Sequence, residues 1–226
     1  MTNKHDIIWL DTVESTNEYV KMHIPTLDNL SVVAAAAQTA GKGQGDHKWL
    51  SEPGMNLTFS ILLKEEQLKS IHPNAQFTIS AITATSLVET LAKYGIEAKI
   101  KWPNDIYVGD RKICGTLIEN SIRSNRFTWS IIGIGLNVNQ QFFDPSLPNP
   151  TSMIKECPKV LCSDSEPDVE YFSISEILNA FITVFTSNFI SYIENGDPKD
   201  LRQKYMSSAW HGSDMNLMHL SLSSLQ

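Results

Sequence analysis

Glycines, lysines and side-chain amides gather in a few short stretches of this chain, and the types and spacing point to chemistry on anions. Gly41-Lys42-Gly43-Gln44-Gly45-Asp46 alternates glycine with polar residues. Glycine lets the backbone approach a ligand closely and adopt positive φ at low steric cost. A loop of this kind can turn several amide N–H groups toward an anion, with Lys42 and Lys48 adding charge, as a centre joining a carboxylate to a phosphate requires. The same residues also describe a flexible turn between two strands. Lys101-Trp102-Pro103-Asn104-Asp105 places a cation, a large ring, a rigid proline, an amide and a carboxylate in one run. Pro103 fixes its own φ and biases Trp102 toward an extended conformation, so Asn104 and Asp105 can be aimed with little entropy left to lose. The bland alternative is a tight hairpin with Trp102 in the core, and Asp105 beside Lys101 could be a simple ion pair. Arg111-Lys112 follows a Gly109-Asp110 turn and heads an apolar strand, where a solvated lysine is the commoner outcome. Gly133-Ile134-Gly135-Leu136-Asn137-Val138 sets two glycines and an amide inside a strand, which signals close approach of a ligand or another backbone, or else a bulge.

The elements that must position these residues follow from hydrophobic period. Ile7 to Leu10 reads as a short buried strand, and Ser15-Thr16-Asn17-Glu18 carries the pattern of a helix capping box. Val32 to Ala37 and Asn56 to Leu63 read as strands flanking the glycine loop. Pro73 to Ala92 has helical spacing and is expected to be the longest helix. Ala98 to Lys101, Ile106 to Val108, Lys112 to Ile118 and Thr128 to Val138 form closely spaced strands, an antiparallel meander. Residues 140 to 171, rich in Pro, Asp and Ser, suit a long mobile loop. Ser175 to Ile193 is an amphipathic helix with Ser175 as its N-cap. Together these describe an α+β domain, a mostly antiparallel sheet backed by helices.

The chain has 226 residues, enough for a substantial core at 42% hydrophobic content. Its 25 acidic against 18 basic residues give a net charge of −7, the wrong sign for neutralising many phosphates of a nucleic-acid backbone, although a small triphosphate needs only a few local donors. The N-terminal residues contain no apolar stretch long enough for a secretion signal or membrane span, so a cytoplasmic location without membrane attachment is expected. Cys114, Cys157 and Cys162 are odd in number and lack C-x-x-C spacing, so neither a disulfide framework nor a structural metal site is expected.

In combination the segments resemble the biotin-protein ligase family. The matching residues are Ser15-Thr16-Asn17, Gln38-Thr39-Ala40-Gly41-Lys42-Gly43, Trp49, Asn56-Leu57, Lys101 to Asp105, Arg111-Lys112 with Gly115, and Gly133 to Val138. They occur in the family's order and cover the chain to about residue 200. A Lys-Trp-Pro-Asn-Asp run with a lysine eleven residues after its first member is the most specific of them. The resemblance implies the biotin/lipoate ligase catalytic fold, similar to class II aminoacyl-tRNA synthetases. It further implies a soluble enzyme that forms biotinyl-5′-AMP from biotin and ATP and then transfers biotin to a lysine of the biotin carboxyl carrier domain of acetyl-CoA carboxylase or a related carboxylase.

On that resemblance Ser15, Thr16, Asn17, Gln38, Gly41, Lys42, Gly43, Gln44, Lys112 and Gly115 would hold biotin, whose ureido ring needs both donors and acceptors. Leu117, Ile134 and Leu136 would wall its apolar part. Lys42, Trp49, Lys101, Asn104 and Asn137 would contact the nucleotide, with Mg2+ entering as the counter-ion of ATP. Lys112 would offset the repulsion between biotin's carboxylate and the α-phosphate, and Asp105 would orient or deprotonate the carrier lysine. A loop over 140 to 153 would exclude water from the adenylate. A homodimer is compatible with the resemblance.

The sequence departs from the family pattern in the glycine loop, which commonly reads Gly-Arg-Gly-Arg. Lys42 keeps charge without the bidentate fork, and Gln44 keeps hydrogen bonding without charge, so weaker retention of the adenylate is expected. No helix-turn-helix domain precedes the Ser-Thr-Asn segment, and operator binding is not expected. Residues 1–199 read as the catalytic domain. Residues 200–226, beginning near Ala209-Trp210-His211-Gly212, read as a truncated or altered remnant of the family's small SH3-like domain. A lipoate ligase or octanoyltransferase, and a biotin-binding regulatory protein without turnover, remain as alternative readings.

Overall fold

The computed structural model describes residues 6–157, 171–195 and 198–210. The chain forms two compact units, residues 1–73 with 115–136 and residues 74–114 with 137–226.

In the first unit the strands run in the order β1 (Ile7–Val13), β2 (Val32–Gln38), β3 (Leu57–Lys64), β7 (Arg126–Leu136), β6 (Arg111–Arg123). The β1–β2 pair is parallel, and β2–β3 and β3–β7 are antiparallel. Parallel neighbours need a crossover. That connection is helix α1 (Thr16–His23), whose Val20 packs with Leu27, Val33, Leu62 and Ile131 in one buried cluster. β3 is buried from Leu57 through Leu63, the hydroxyl residues Thr58 and Ser60 included. It continues into a single turn of helix, α2 (Glu65–Leu68). β6 and β7 are joined by Ser124-Asn125, both at positive φ, the geometry of a two-residue I′ hairpin turn. The β3–β7 register advances one residue at a time from Leu57↔Leu136 to Lys64↔Trp129, so the two glycines of β7 mark close approach and not a bulge.

In the second unit the first residues of β6, Arg111–Cys114, continue the order through β5 (Asp105–Val108) to β4 (Lys99–Lys101), with β4–β5 antiparallel. Helix α3 (Phe77–Ala92) packs against α5 (Ile174–Asn195) and α6 (Pro198–Ser207). α3 is buried almost throughout despite its hydroxyl residues, because Thr83, Thr85, Ser86 and Thr90 each donate to the carbonyl four residues back, at 2.7–2.8 Å. α5 is long and apolar enough to cross a membrane by length and composition. Its apolar face, however, lies in the core, with Phe181, Phe185 and Phe189 buried and stacked at 5.7 Å intervals. The free edge of β4 is covered by residues 208–210: Ile100 N–H donates to Ser208 O at 2.7 Å and Trp210 N–H to Ile100 O at 2.9 Å. The result is the expected mostly antiparallel sheet backed by helices, with one parallel pair.

Several local expectations are corrected. Ser15 precedes α1, but its side chain makes no capping bond, and Glu18 is drawn to Lys42 instead. The longest helix is α5 with 22 residues, against 16 for α3. α5 is capped by Ser173, whose hydroxyl accepts Glu176 N–H at 3.4 Å; Ser175 lies inside the helix. The stretch from 140 is not a loop throughout: Thr151, Ser152, Met153 and Ile154 are buried, and Met153–Glu156 forms α4. Residues 158–170 and 211–226 lie outside the described residues. The domain boundary read at 199/200 falls within α6.

Candidate functional site

In the first unit the Ser-Thr-Asn segment is buried at the start of α1, with Ser15, Thr16 and Asn17 at 3–4% exposure. A helix N-terminus leaves amides without intrahelical partners, and here Gln38, from the end of β2, supplies one. Its Oε1 accepts Thr16 N–H at 2.8 Å and Thr16 Oγ1 at 3.2 Å. Because an amide N–H can only donate, this contact fixes the orientation of the Gln38 amide and directs Nε2 away from it. Ser60, fully buried on β3, donates its one hydroxyl proton to Asn17 Oδ1 at 2.6 Å and lies 2.7 Å from Thr16 Oγ1. Asn17 Nδ2 donates to Glu119 Oε2 at 2.9 Å and Leu117 O at 3.3 Å. With Asn17 so engaged, Ser15 Oγ and Gln38 Nε2 have no protein partner among the described residues. A hydroxyl and an amide donor therefore remain for a ligand that both gives and takes hydrogen bonds.

Glycine makes this arrangement possible. A Cβ on Gly133 would stand 2.3 Å from Asn17 Oδ1, and one on Gly135 would stand 2.3 Å from the Trp49 ring. The apolar residues expected to line the site are buried at Ile134 and Leu136 and half-buried at Leu117.

The glycine loop is a closed hairpin in this structure. Trp49 N–H donates to Gly41 O at 3.0 Å and Gly43 N–H to His47 O at 2.8 Å, so the Gly43 amide is spent within the loop. Among its glycines only Gly45 has positive φ; Gly41 is needed because a Cβ would meet Trp49 O at 2.6 Å. Gln44 is exposed at the hairpin tip. Lys42 Nζ pairs with Glu18 at 2.6 Å, while Lys21 pairs with Glu119 at 3.0 Å. The Lys42 hydrogen bond holds the Glu18 carboxyl below its ordinary range, and the Glu119 hydrogen bond raises the Lys21 amine.

In the second unit Lys101 to Asp105 turns from β4 into β5, with Lys101 and Asp105 directly opposite in register. They do not pair. Lys101 Nζ lies 3.2 Å from Tyr107 Oη and over the rings of Tyr107 and Trp210, 4.5 and 5.1 Å from their centroids. Asp105 Oδ1 instead lies 2.8 Å from Lys112 Nζ, the side chains 24% and 33% exposed, so the pair is held but reachable from solvent. The Lys112 main chain is bonded on both sides, N–H to Asn149 O at 2.8 Å and carbonyl from Thr151 N–H at 2.9 Å. Asn137 is buried and its Nδ2 donates to Thr151 O at 2.9 Å. Asn104 is half-buried in the turn, and Gly115 follows Lys112 along β6 within the first unit.

Ser60 and Glu119 escaped the sequence reading, and Glu18 enters it only as the acidic member of a capping box. Ser60 could have been flagged as a lone hydroxyl in the middle of the apolar run Phe59-Ser60-Ile61-Leu62. Nothing local marks Glu119.

The model of the biotin/lipoate A/B protein ligase family matches residues 9–137. The chain is 33% identical over 141 residues to the bifunctional ligase/repressor BirA of Escherichia coli (strain K12), covering 62% of this chain and 43% of that protein. It is 29% identical over 208 residues to biotin--protein ligase 2 of Arabidopsis thaliana, covering 91% of this chain and 59% of that protein. The chain thus spans about half the length of these curated relatives. Among solved structures, biotin protein ligase from Aquifex aeolicus in complex with biotin and ATP matches with a TM-score of 0.74 at 25% identity, over 91% of this chain and 79% of that one. Biotin protein ligase from Leishmania major in complex with biotin, at 22% identity and a TM-score of 0.67, speaks for the fold alone. Since the family model covers more than half of the sequence and the solved structures share its fold, this chain belongs to the biotin/lipoate A/B protein ligase family.

Proposed function

We propose that the chain is a biotin-protein ligase that activates biotin with ATP and transfers it to a lysine of a biotin carboxyl carrier domain, that of acetyl-CoA carboxylase in the first instance, in the cytoplasm. The observation that carries this reading is the Lys112–Asp105 pair, a cation and a carboxylate 2.8 Å apart and both accessible. In the first step a biotin carboxylate oxygen attacks the α-phosphorus; the new O–P bond forms as the bond to the leaving pyrophosphate breaks. Two anions meet there, and the Lys112 ammonium offsets their repulsion, an effect on the order of 3 kcal/mol, or about a hundredfold in rate. Mg2+ carried on the triphosphate as part of the substrate would supply charge neutralisation for the pyrophosphate.

In the second step the carrier lysine must attack as a neutral amine. Asp105 orients that amine and accepts its proton; the C–N bond forms, the acyl C–O bond breaks and AMP leaves. Ser15 and Gln38 suit the ureido ring, each offering a group that the surrounding network leaves unused. Thr16 and Asn17 hold that frame, Gly41, Lys42, Gly43, Gln44 and Gly115 complete the biotin side, and Lys42, Trp49, Lys101, Asn104 and Asn137 are assigned to the nucleotide. The names of the E. coli and Arabidopsis relatives and the biotin and ATP in the Aquifex complex support the same reading.

The test is to incubate the protein with ATP, Mg2+, biotin and a purified carrier domain, and to read the carrier's mass, with arms lacking ATP or containing lipoate. A biotin-sized gain that requires ATP, slowed about a hundredfold by Lys112→Met, is expected. A lipoyl gain would instead make the chain a lipoate ligase, which the family model also spans. Bound biotin without any gain would make it a binding protein.

A further inference from the structure

We propose that Glu156 is a positioning residue for Lys112, acting through a strap that clamps the main chain of β6. The inference rests on the assignment of Lys112 to adenylate formation. The strap begins where β7 ends. Asn137 N–H donates to Ile113 O at 2.9 Å, and Met153 and Ile154 N–H return to Asn137 O and Val138 O, each at 3.0 Å. Between these anchors Asn149, Pro150 and Thr151 lie alongside Lys112 as an isolated parallel bridge that takes both of its main-chain hydrogen bonds. One bridge is a weak fixture, since a single net hydrogen bond contributes only about 1 kcal/mol.

Glu156 reinforces it. Its side chain is 9% exposed, with both carboxylate oxygens 2.9 Å from Arg111 Nη2 and one accepting the Thr151 hydroxyl. Arg111 is the strand neighbour of Lys112, and adjacent residues on a strand point to opposite faces. The carboxylate therefore ties the strap to β6 from one face while Lys112 meets Asp105 from the other. The carboxylate is nearly buried while Arg111 is 57% exposed, so it is the Glu156 charge that would be left uncompensated if Arg111 and the Thr151 hydroxyl were removed. Asn149 Nδ2 donates to Asp110 O and closes the other end of the strap. The clamp thus bears on the residue before Lys112, on both of its main-chain groups, and on the turn that leads into it.

The test is a double-mutant cycle on biotinyl-adenylate formation in single turnover, with wild type, Glu156→Ala, Lys112→Met and the double variant. If Glu156 acts through Lys112, Glu156→Ala lowers the rate about tenfold when Lys112 is present and less than twofold in the Lys112→Met background. The charge-swapped variant, Arg111→Glu with Glu156→Arg, regains part of the loss. Equal loss in both backgrounds, or a Glu156→Ala rate within twofold of wild type, overturns the proposal. Should Glu156→Ala not fold, Glu156→Gln and Thr151→Val enter the same cycle under the same criteria.

Amide hydrogen exchange at Lys112 and Thr151 reads the strap independently of turnover, and faster exchange at both is expected in Glu156→Ala. Unchanged exchange overturns the proposal. A wild-type chain that forms no biotinyl-adenylate, yet loses this protection in Glu156→Ala, would remove the activity reading and leave the strap standing.

Discussion

Substituting Gly133 by alanine tests whether the polar frame around the Ser-Thr-Asn segment is as rigid as its hydrogen bonds require. The three atoms nearest the added Cβ all belong to the Asn17 amide: Oδ1 at 2.3 Å, Cγ at 2.9 Å and Nδ2 at 3.0 Å. An exposed amide would swing aside at little cost. Asn17 is 3% exposed, and its amide is held by Ser60, Leu117 and Glu119. Relief therefore means either overpacking, about 1–3 kcal/mol, or leaving buried polar groups unpaired, again about 1–3 kcal/mol. The expected destabilisation is about 1–3 kcal/mol in urea unfolding, together with roughly tenfold weaker biotin binding by calorimetry as Thr16 and Asn17 shift. Asn17→Ala removes all three clashing atoms, so the double variant should be less destabilised than the sum of the singles by about 2 kcal/mol. Additive penalties, or a Gly133→Ala protein within about 0.5 kcal/mol of wild type, would refute the argument that Asn17 is locked.

Gln38→Glu separates the two jobs of that side chain. A carboxylate still accepts Thr16 N–H and sits favourably at a helix N-terminus, so stability should hold within about 1 kcal/mol. The Nε2 donor is lost, and biotin affinity should fall at least tenfold by calorimetry; unchanged affinity would show that Nε2 does not touch the ligand. For Glu18, whose carboxyl pKa is lowered chiefly by Lys42, the ion pair is intact above the usual carboxylate range and lost as pH falls through the depressed value. An NMR titration should find its midpoint below 4.5 in wild type and moved upward in Lys42→Met, and an identical midpoint in both proteins would refute the Glu18–Lys42 pairing as its cause. Burial pushes the Cys114 thiol upward, so the unfolded chain releases that proton first. Stability should then decline as pH rises past about 8.5, by up to about 1.4 kcal/mol per pH unit. Cys114→Ala should flatten this slope in urea melts, and an unaltered slope would assign it elsewhere.

The elements that period and turn chemistry specify were legible in the sequence. β1, β2, β3 and the meander appear where the sequence carries apolar or alternating runs bounded by polar residues and turn formers. What the sequence concealed depends on contacts made far along the chain. Ser15 and Glu18 have the letters of a capping box, but Lys42 lies 24 residues away and takes the glutamate. Register sets Lys101 opposite Asp105, yet the Lys101 amine lies over the ring of Trp210, 109 positions on, and Asp105 turns to Lys112. Thr151 to Ile154 is too short to show a period, and it is ordered by bonds to Asn137, Gln140 and Lys112 that no local pattern announces. The binding residues themselves were easier to name than their partners, because a ligand's chemistry restricts side-chain types more tightly than a structural network does.

The two units treat charge in opposite ways. Around the Ser-Thr-Asn segment Lys42 and Lys21 face Glu18 and Glu119. That leaves a neutral, rigid set of donors and acceptors suited to an uncharged ureido ring, which a stray charge would repel from its hydrogen-bonding edge by demanding water. Lys112 and Asp105 form a pair open to solvent, in which a pair's net contribution to stability is small. Weak pairing is what a reaction with changing charge requires, because an arriving phosphate can draw Lys112 away without a large penalty. Asp105 is then released to meet the ammonium of the carrier lysine in the next step. A buried, fully satisfied Lys112–Asp105 bridge would have been more costly to open, and would have held the cation where neither anion could use it.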